Sequence, residues 1–213
     1  MTRRHSSPRQ RPGASPPKGN GRLRIIGGEY RRRLLPVLDR PGLRPTPDRV
    51  RETLFNWLAT ITPGARVLDL FAGTGALGLE ALSRGAAEAL FVERDGLVAR
   101  ALTDNLDTLG AMDRGRVHTG DALALLAAGP AADPPFSLVF LDPPFRQGLA
   151  GPCCERLEQG WLSADAWIYL ETETALEVSV PVNWSPYREV RAGDSTGRLY
   201  CRRPPPPATP LAE

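Results

Sequence analysis

The chain has 213 residues, 41% of them hydrophobic and 24% charged, with a formal net charge of +3. This is ordinary globular composition, long enough for one substantial core plus appendages, and no apolar run approaches the roughly 20 residues of a membrane span. Cys153, Cys154 and Cys201 form neither a disulfide framework nor a zinc-type CxxC spacing, and His5 and His118 are the only histidines, so no metal site is expected.

The N-terminal residues Met1-Thr-Arg-Arg-His-Ser-Ser-Pro8 carry positive charge with no apolar stretch behind it, so no secretory signal is expected and a reducing, cytoplasmic setting is. Residues 1–51 hold fourteen basic side chains against three acidic ones, a balance of +11, whereas residues 52–213 balance to −8. Lys18 is the only lysine, so coding bias explains part of the arginine preference. It does not explain the scarcity of acids at one end, which is a footprint of nucleic-acid binding. Residues 1–21 are rich in Pro, Gly, Ser and Arg and are expected to be a disordered basic tail.

From Leu23 to Val37 the pattern predicts two short strands flanking Gly27-Gly28, a hairpin studded with arginines. Arg24, Arg31, Arg33, Arg44, Arg49 and Arg51 are expected phosphate contacts, with strand alternation setting Arg32 on the face opposite Arg31 and Arg33. Pro41–Pro47 reads as a stiff loop. Thr46 or Asp48 is then expected to cap a helix with Val50, Leu54, Phe55, Trp57 and Leu58 on its apolar face.

After Pro63-Gly64 strand and helix patterns alternate. Strands are predicted at 66–71, 89–93, 116–119, 138–141 and 166–171, and helices at 76–83, 97–109, 122–128 and 149–159. Residues 187–190 and 198–202 are read as a terminal hairpin turning through Gly193–Gly197, and Pro204–Pro207 as the start of a loose tail at 204–213. Repeated βα units imply an α/β fold with a mostly parallel sheet, right-handed crossovers and helices on both faces.

Two stretches carry chemistry. Val67-Leu-Asp-Leu-Phe-Ala-Gly-Thr-Gly-Ala-Leu-Gly78 runs from a strand through a glycine loop into a helix, whose first N–H groups and dipole suit an anion. Gly73-x-Gly75-x-x-Gly78 also matches the dinucleotide fingerprint, and Glu93 lies eighteen residues beyond Gly75, so a nicotinamide or flavin domain competes. Asp69 tilts the choice. An acid beside a pyrophosphate is unfavourable, whereas it suits the ammonium group of S-adenosylmethionine. Asp121 either accepts from an adenine amine or caps the helix at 122–128.

The second stretch is Asp142-Pro-Pro-Phe145, directly after the apolar run Ser137–Leu141. Prolines end strands routinely, so a plain turn is one reading. The other is chemistry on the amine of a planar base. Its lone pair is delocalised into the ring, and acceptors for both N–H groups turn that pair toward an electrophile. The Asp142 carboxylate and Pro143 carbonyl are candidate acceptors, with the base stacked on Phe145. Asp69, Glu93, Asp121 and Asp142 all fall at carboxyl ends of strands, where doubly wound sheets bind ligands.

Leu23–Gly28, Leu43-Arg-Pro-Thr-Pro-Asp-Arg-Val-Arg-Glu-Thr-Leu-Phe-Asn-Trp57, Asp69–Ala81 and Val139-Phe-Leu-Asp-Pro-Pro-Phe145 together resemble the bacterial RsmD family of class I S-adenosylmethionine-dependent methyltransferases. The resemblance covers roughly residues 22–203. It implies a Rossmann-like, seven-stranded methyltransferase sheet over 63–203, with an N-terminal hairpin and helix extension at 22–62 that helps hold RNA. It also implies methylation of the N2 amine of one guanine in 16S ribosomal RNA of an assembling small subunit. The target-amine roles fall on Asp142, Pro143 and Phe145, with Pro144 between them. The cofactor roles fall on Asp69, Gly73, Gly75, Glu93 and Asp121, with their neighbours Phe71, Thr74, Arg94 and Ala122. A monomer without membrane attachment is expected. The rivals are an adenine-N6 methyltransferase on DNA or RNA, an assembly factor that keeps the fold without activity, and a nicotinamide-dependent oxidoreductase.

Overall fold

The structure, a computed structural model, describes residues 21–38, 40, 43, 46–130 and 134–203. Both expected tails therefore lie outside the described residues, except Gly21, which opens the first strand. Arg44 and most of the expected stiff loop at 41–47 also lie outside them.

The main sheet has seven strands. They are β3 (Arg66–Asp69), β4 (Glu88–Glu93), β5 (Gly115–Thr119), β6 (Phe136–Leu141), β7 (Leu162–Glu173), β8 (Trp184–Ala192) and β9 (Ser195–Arg202), in the order β5-β4-β3-β6-β7-β9-β8. The first five are parallel, and β9 is antiparallel to both of its neighbours. The chain enters at β3, winds outward through β4 and β5, then crosses back to β6. That reversal creates a crevice beyond the carboxyl ends of β3 and β6.

The central strands read as continuous apolar runs because helices cover both faces. On one face Val67, Phe91, Leu138, Phe140 and Tyr169 pack against α1 (Asp48–Trp57), α2 (Ala76–Ser83) and α3 (Gly96–Leu109). Phe55 of α1 meets Phe140 edge-on, with ring centroids 5.9 Å apart. Each such buried ring contributes roughly 2–3 kcal/mol of apolar burial. On the other face Leu68, Val92, Val139, Leu141 and Leu170 pack against α4 (Ala122–Ala128) and α5 (Ala150–Leu157).

The N-terminal strands β1 (Gly21–Arg24) and β2 (Leu34–Val37) form the expected antiparallel hairpin, but its connection spans nine residues. The reason lies on α2. Buried Glu80 accepts from the Ile26 and Gly27 N–H groups, both at 2.8 Å, and from Arg84 Nε at 2.7 Å. Ser83 Oγ donates to the Gly27 carbonyl at 2.5 Å and accepts from the Tyr30 N–H at 2.9 Å, while its carbonyl accepts from Glu29. Backbone groups expected to bond across the hairpin therefore bond to a helix. Arg31–Arg33 are turn residues, Arg32 has φ +68°, and all three are exposed, so strand alternation does not sort them. Leu23, Ile25, Tyr30, Leu35 and Val37 join the same core as the sheet.

Two further expectations are corrected. Neither Thr46 nor Asp48 caps α1: Pro47 holds the cap position, and the Asp48 carboxylate is taken by Arg24 Nη2 at 2.7 Å and Arg51 Nη2 at 2.6 Å. Two guanidinium partners outcompete the neutral N–H groups of the first turn. The terminal turn is Gly193-Asp194 alone, because Ser195–Gly197 already pair with β7 as part of β9.

Candidate active site

Asp69 is the last residue of β3 and Glu93 the last of β4, while Asp142 immediately follows β6 and Asp121 lies two residues past β5. The sheet thus brings the four acids to one edge, around the crevice. Between Asp69 and α2 the glycine loop makes its turn with φ +50° at Gly73 and +74° at Gly75, which also occupies the N-cap position of α2. A side chain at Gly78 would overlap the Phe91 ring, so that glycine lets α2 lie against β4.

Asp69 is 4% exposed and accepts one hydrogen bond, from the Gly78 N–H at 3.0 Å. Burial pushes its carboxyl up to about 7; the Gly78 bond opposes this and the nearby Glu93 charge adds to it. A carboxyl so placed favours a cation. Glu93 is held by two backbone donors, Gly73 N–H at 3.0 Å and Asp95 N–H at 2.7 Å, which ties the glycine loop to the start of α3. Asp95 caps α3 by accepting from Leu97 at 2.8 Å. Phe71 is partly buried, Thr74 and Ala122 are buried, and Arg94 is exposed. Leu43 packs over Gly73, its Cδ1 3.0 Å from where a Cβ would stand, so the extension walls this part of the site.

Asp121 is exposed and caps α4, accepting from the Ala124 N–H at 2.9 Å, so the capping reading of this residue is realised. Its charge is also felt by buried Cys153, whose thiol is pushed up to about 12 mainly by burial. A thiol so protonated is no nucleophile.

At the DPPF turn Pro143 is buried and Pro144 exposed, and the Phe145 ring is 41% exposed, free to stack. No described residue donates to the Pro143 carbonyl. Burial raises the Asp142 carboxyl well above the usual range, with further contributions from the charges of Glu171 and Asp69. The Arg146 N–H donates to Glu173, anchoring the far side of the turn to β7. Glu171 itself was not anticipated. An acid inside the apolar run Trp167-Ile-Tyr-Leu-Glu171 was the visible signal.

The arginines divide. Arg31, Arg33 and Arg49 are exposed, and Arg24 is exposed while paired with Asp48. Arg51, expected on the phosphate surface, is fully buried: its Nη2 donates to the Arg24 carbonyl at 2.8 Å, and its Nη1 lies 3.6 Å from Glu80. It joins the extension to α2 and reaches no phosphate. The arginine turn is also not beside the crevice. It docks on Glu80 and Ser83 near the carboxyl end of α2, and Arg33 Nη2 donates to Thr108 near the end of α3. The glycine loop sits at the opposite end of α2, about 12 Å away for eight residues.

Known proteins resemble this chain over most of its length. The family described as "Conserved hypothetical protein 95" matches residues 23–201. "Ribosomal RNA small subunit methyltransferase D" of Escherichia coli K12 is 52% identical over 186 residues, covering 86% of this chain and 92% of that protein. Its namesake from Haemophilus influenzae is 45% identical over 86% of this chain and 96% of its own length. Among solved structures, "Putative methyltransferase yhhF from Escherichia coli" superposes with a TM-score of 0.78 at 51% identity, covering 86% of this chain and 99% of that one. An RNA methyltransferase from Salinibacter ruber in complex with S-adenosyl-L-homocysteine shares the fold, with a TM-score of 0.57 at 20% identity over 80% of this chain and all of that one.

Proposed function

The chain belongs to the family described as conserved hypothetical protein 95, and from that premise we propose that it methylates the N2 amine of a guanine in 16S ribosomal RNA of the assembling small subunit. The carrying observation is the meeting of an acid-flanked glycine loop with the DPPF turn across the β3–β6 crevice. The names of the relatives support ribosomal RNA as the substrate class. Guanine N2 rests on the family resemblance and on the acceptor chemistry of the turn.

S-adenosylmethionine fits the crevice better than a dinucleotide. A buried carboxyl with a raised proton affinity at Asp69 would repel a pyrophosphate and attract an ammonium group. Asp69 would take the ammonium, Gly73, Thr74 and Gly75 with the start of α2 the carboxylate, and Glu93 the ribose hydroxyls. Phe71 and Ala122 would line the adenosine site, with Arg94 at its exposed margin. The free oxygen of Asp121 would meet the adenine amine. Bound there, the cofactor supplies an electrophilic methyl group.

The protein's share is positioning. Asp142 and the Pro143 carbonyl accept the two N–H bonds of the target amine and turn its lone pair out of the ring, and Phe145 holds the base by stacking. Such orientation is the main source of acceleration where no covalent intermediate forms. The base is extruded or presented unpaired. Residues 22–62 act as the RNA-facing extension of a transfer domain spanning 63–203, with Arg24, Arg31, Arg33 and Arg49 on phosphates. Contacts at both ends of α2 suit a large folded RNA rather than a short strand.

Labelled S-adenosylmethionine incubated with small subunits lacking the modification, followed by mapping of the methylated nucleotide, tests the reading. Label on a guanine N2 of 16S RNA supports it. Label on adenine N6, or none, overturns it.

A further inference from the structure

We propose that Glu171 is a positioning residue for Asp142: fixed by two hydroxyl groups on the sheet, it acts on the target amine through its charge beside the Asp142 carboxyl. The proposal rests on the functional reading above and adds a residue that the glycine loop and the DPPF turn do not contain.

The geometry follows from the sheet. β6 and β7 are parallel with Leu141 opposite Leu170, so Asp142 and Glu171 are the next pair in register and share a face. Asp69 pairs with Phe140, and Phe140 with Tyr169, which sets Asp69 and Tyr169 on that same face one row back. Glu171 is 8% exposed, and both its oxygens are taken. The Tyr169 hydroxyl donates to Oε2 at 3.0 Å and the Ser195 hydroxyl to Oε1 at 2.8 Å. The arrangement has required space as well as donors. Gly197 pairs with Glu171 on β9, and a side chain there would overlap the Tyr169 hydroxyl. Burial and the neighbouring acids raise Tyr169 well above its ordinary range, so it remains a donor throughout the working pH range.

The groups facing Asp142 are Asp69 from β3 and Tyr169 and Glu171 from β7, with Ser195 of β9 behind Glu171; no described lysine, arginine or histidine pairs with these acids. A protonated Asp142 presents a donor to an amine that needs acceptors, so transfer requires its ionised form. Once the N–C bond has formed and the donor's S–C bond has broken, its electron pair left on sulfur and the neutral thioether departing, the nitrogen carries a surplus proton. The N–H electron pair stays on nitrogen and the proton passes to the Asp142 carboxylate. Glu171 makes that carboxylate a better acceptor than an isolated one, at the cost of moving the onset of activity to higher pH.

The test is an NMR titration of the cofactor-free protein carrying ¹³C-labelled aspartate carboxyls, with the Asp142 resonance assigned by its loss in Asp142→Asn. In Glu171→Gln, which keeps the shape and an acceptor oxygen, Asp142 should ionise at a pH at least one unit lower, a tenfold fall in proton affinity. The acidic limb of the kcat profile should move with it. A merely structural Glu171 would lower activity at every pH and leave the limb in place. An Asp142 titration unchanged in the folded variant overturns the proposal. Should that variant not fold, the wild-type protein labelled on its glutamate carboxyls as well decides, with the Glu171 resonance assigned by its loss in Glu171→Asp: inflections shared by the Asp142 and Glu171 resonances support the coupling, and independent ones remove it. The titration needs no substrate, so loss of the methyltransferase reading would show separately, as absence of methyl transfer.

Discussion

Gly28 and Ser83 are apposed so closely that a methyl group on Gly28 would occupy the space of the Ser83 carbonyl. Gly28 also has φ +77°, a conformation that costs other residues strain. Gly28→Ala should therefore destabilise the protein by about 2–3 kcal/mol, through overpacking and backbone strain together. Thermal unfolding reads the loss, and hydrogen exchange at Ile26, Gly27 and Tyr30 should show the hairpin released from α2. An unchanged melting temperature would refute the docking.

Arg51 separates structure from RNA binding. Its guanidinium is fully buried beside Glu80 and Asp48, and removing one partner of a buried ion pair costs about 3–5 kcal/mol. Arg51→Ala should lower stability by that order. The salt dependence of RNA binding should remain, because no phosphate contact is lost. A shallower salt slope with normal stability would return Arg51 to the RNA surface.

Asp69 predicts a pH dependence of unusual sign. Its folded carboxyl titrates near 7 whereas an unfolded aspartate titrates near 3.8, so the folded state binds the proton more tightly. Stability from this group is full below the unfolded value and is lost as pH rises through 7, by on the order of 4 kcal/mol in the cofactor-free protein. Asp69→Asn should flatten that loss. If an ammonium pairs with Asp69, cofactor binding at pH 6 should release a proton, visible calorimetrically as a dependence on buffer ionisation enthalpy. No proton release would place the ammonium elsewhere.

At the turn, Asp142→Ala should abolish methyl transfer while leaving cofactor affinity measurable. Phe145→Ala should lower kcat/KM roughly 10–100-fold, the equivalent of about 1–3 kcal/mol of base stacking, with little change in stability because the ring is 41% exposed. Full transfer by the Asp142 variant would sink the assignment of the turn.

Charge reversal of Arg31 and Arg33 should weaken binding of the small subunit and reduce its salt slope by about one to two. The same variants should bind a short RNA fragment holding only the target as the wild type does, since both residues lie at the far end of α2. Equal weakening on both substrates would mean that the arginine turn reaches the target directly.

The element plan of the sheet was legible because apolar runs and glycine punctuation determine it locally. Helices α2 and α4 begin and end where the sequence pattern places them. Asp69 and Glu93 were legible as strand-end acids for the same reason. Non-local partnerships were not. Nothing near Arg51 in the chain announces Glu80, 29 residues away in sequence, so a buried cation read as a surface one. Ile26 and Gly27 likewise bond to Glu80 rather than across the hairpin, which moved the start of β2 to Leu34. Glu171 became meaningful only once strand order set it beside Asp142, with Ser195 brought in from β9.

The position of β9 has a consequence for biosynthesis. Although it is the last strand in sequence among those described, it lies inside the sheet between β7 and β8, and it contributes the Ser195 hydroxyl and the side-chain-free Gly197 behind Glu171. A nascent chain that has emerged only as far as β8 already contains the glycine loop and the DPPF turn. It still lacks the strand that joins β8 to the rest of the sheet and holds Glu171 in place. Synthesis of residues 195–202 therefore completes the sheet: a product that stops short of β9 carries the chemistry-bearing motifs without the strand that lies between β7 and β8.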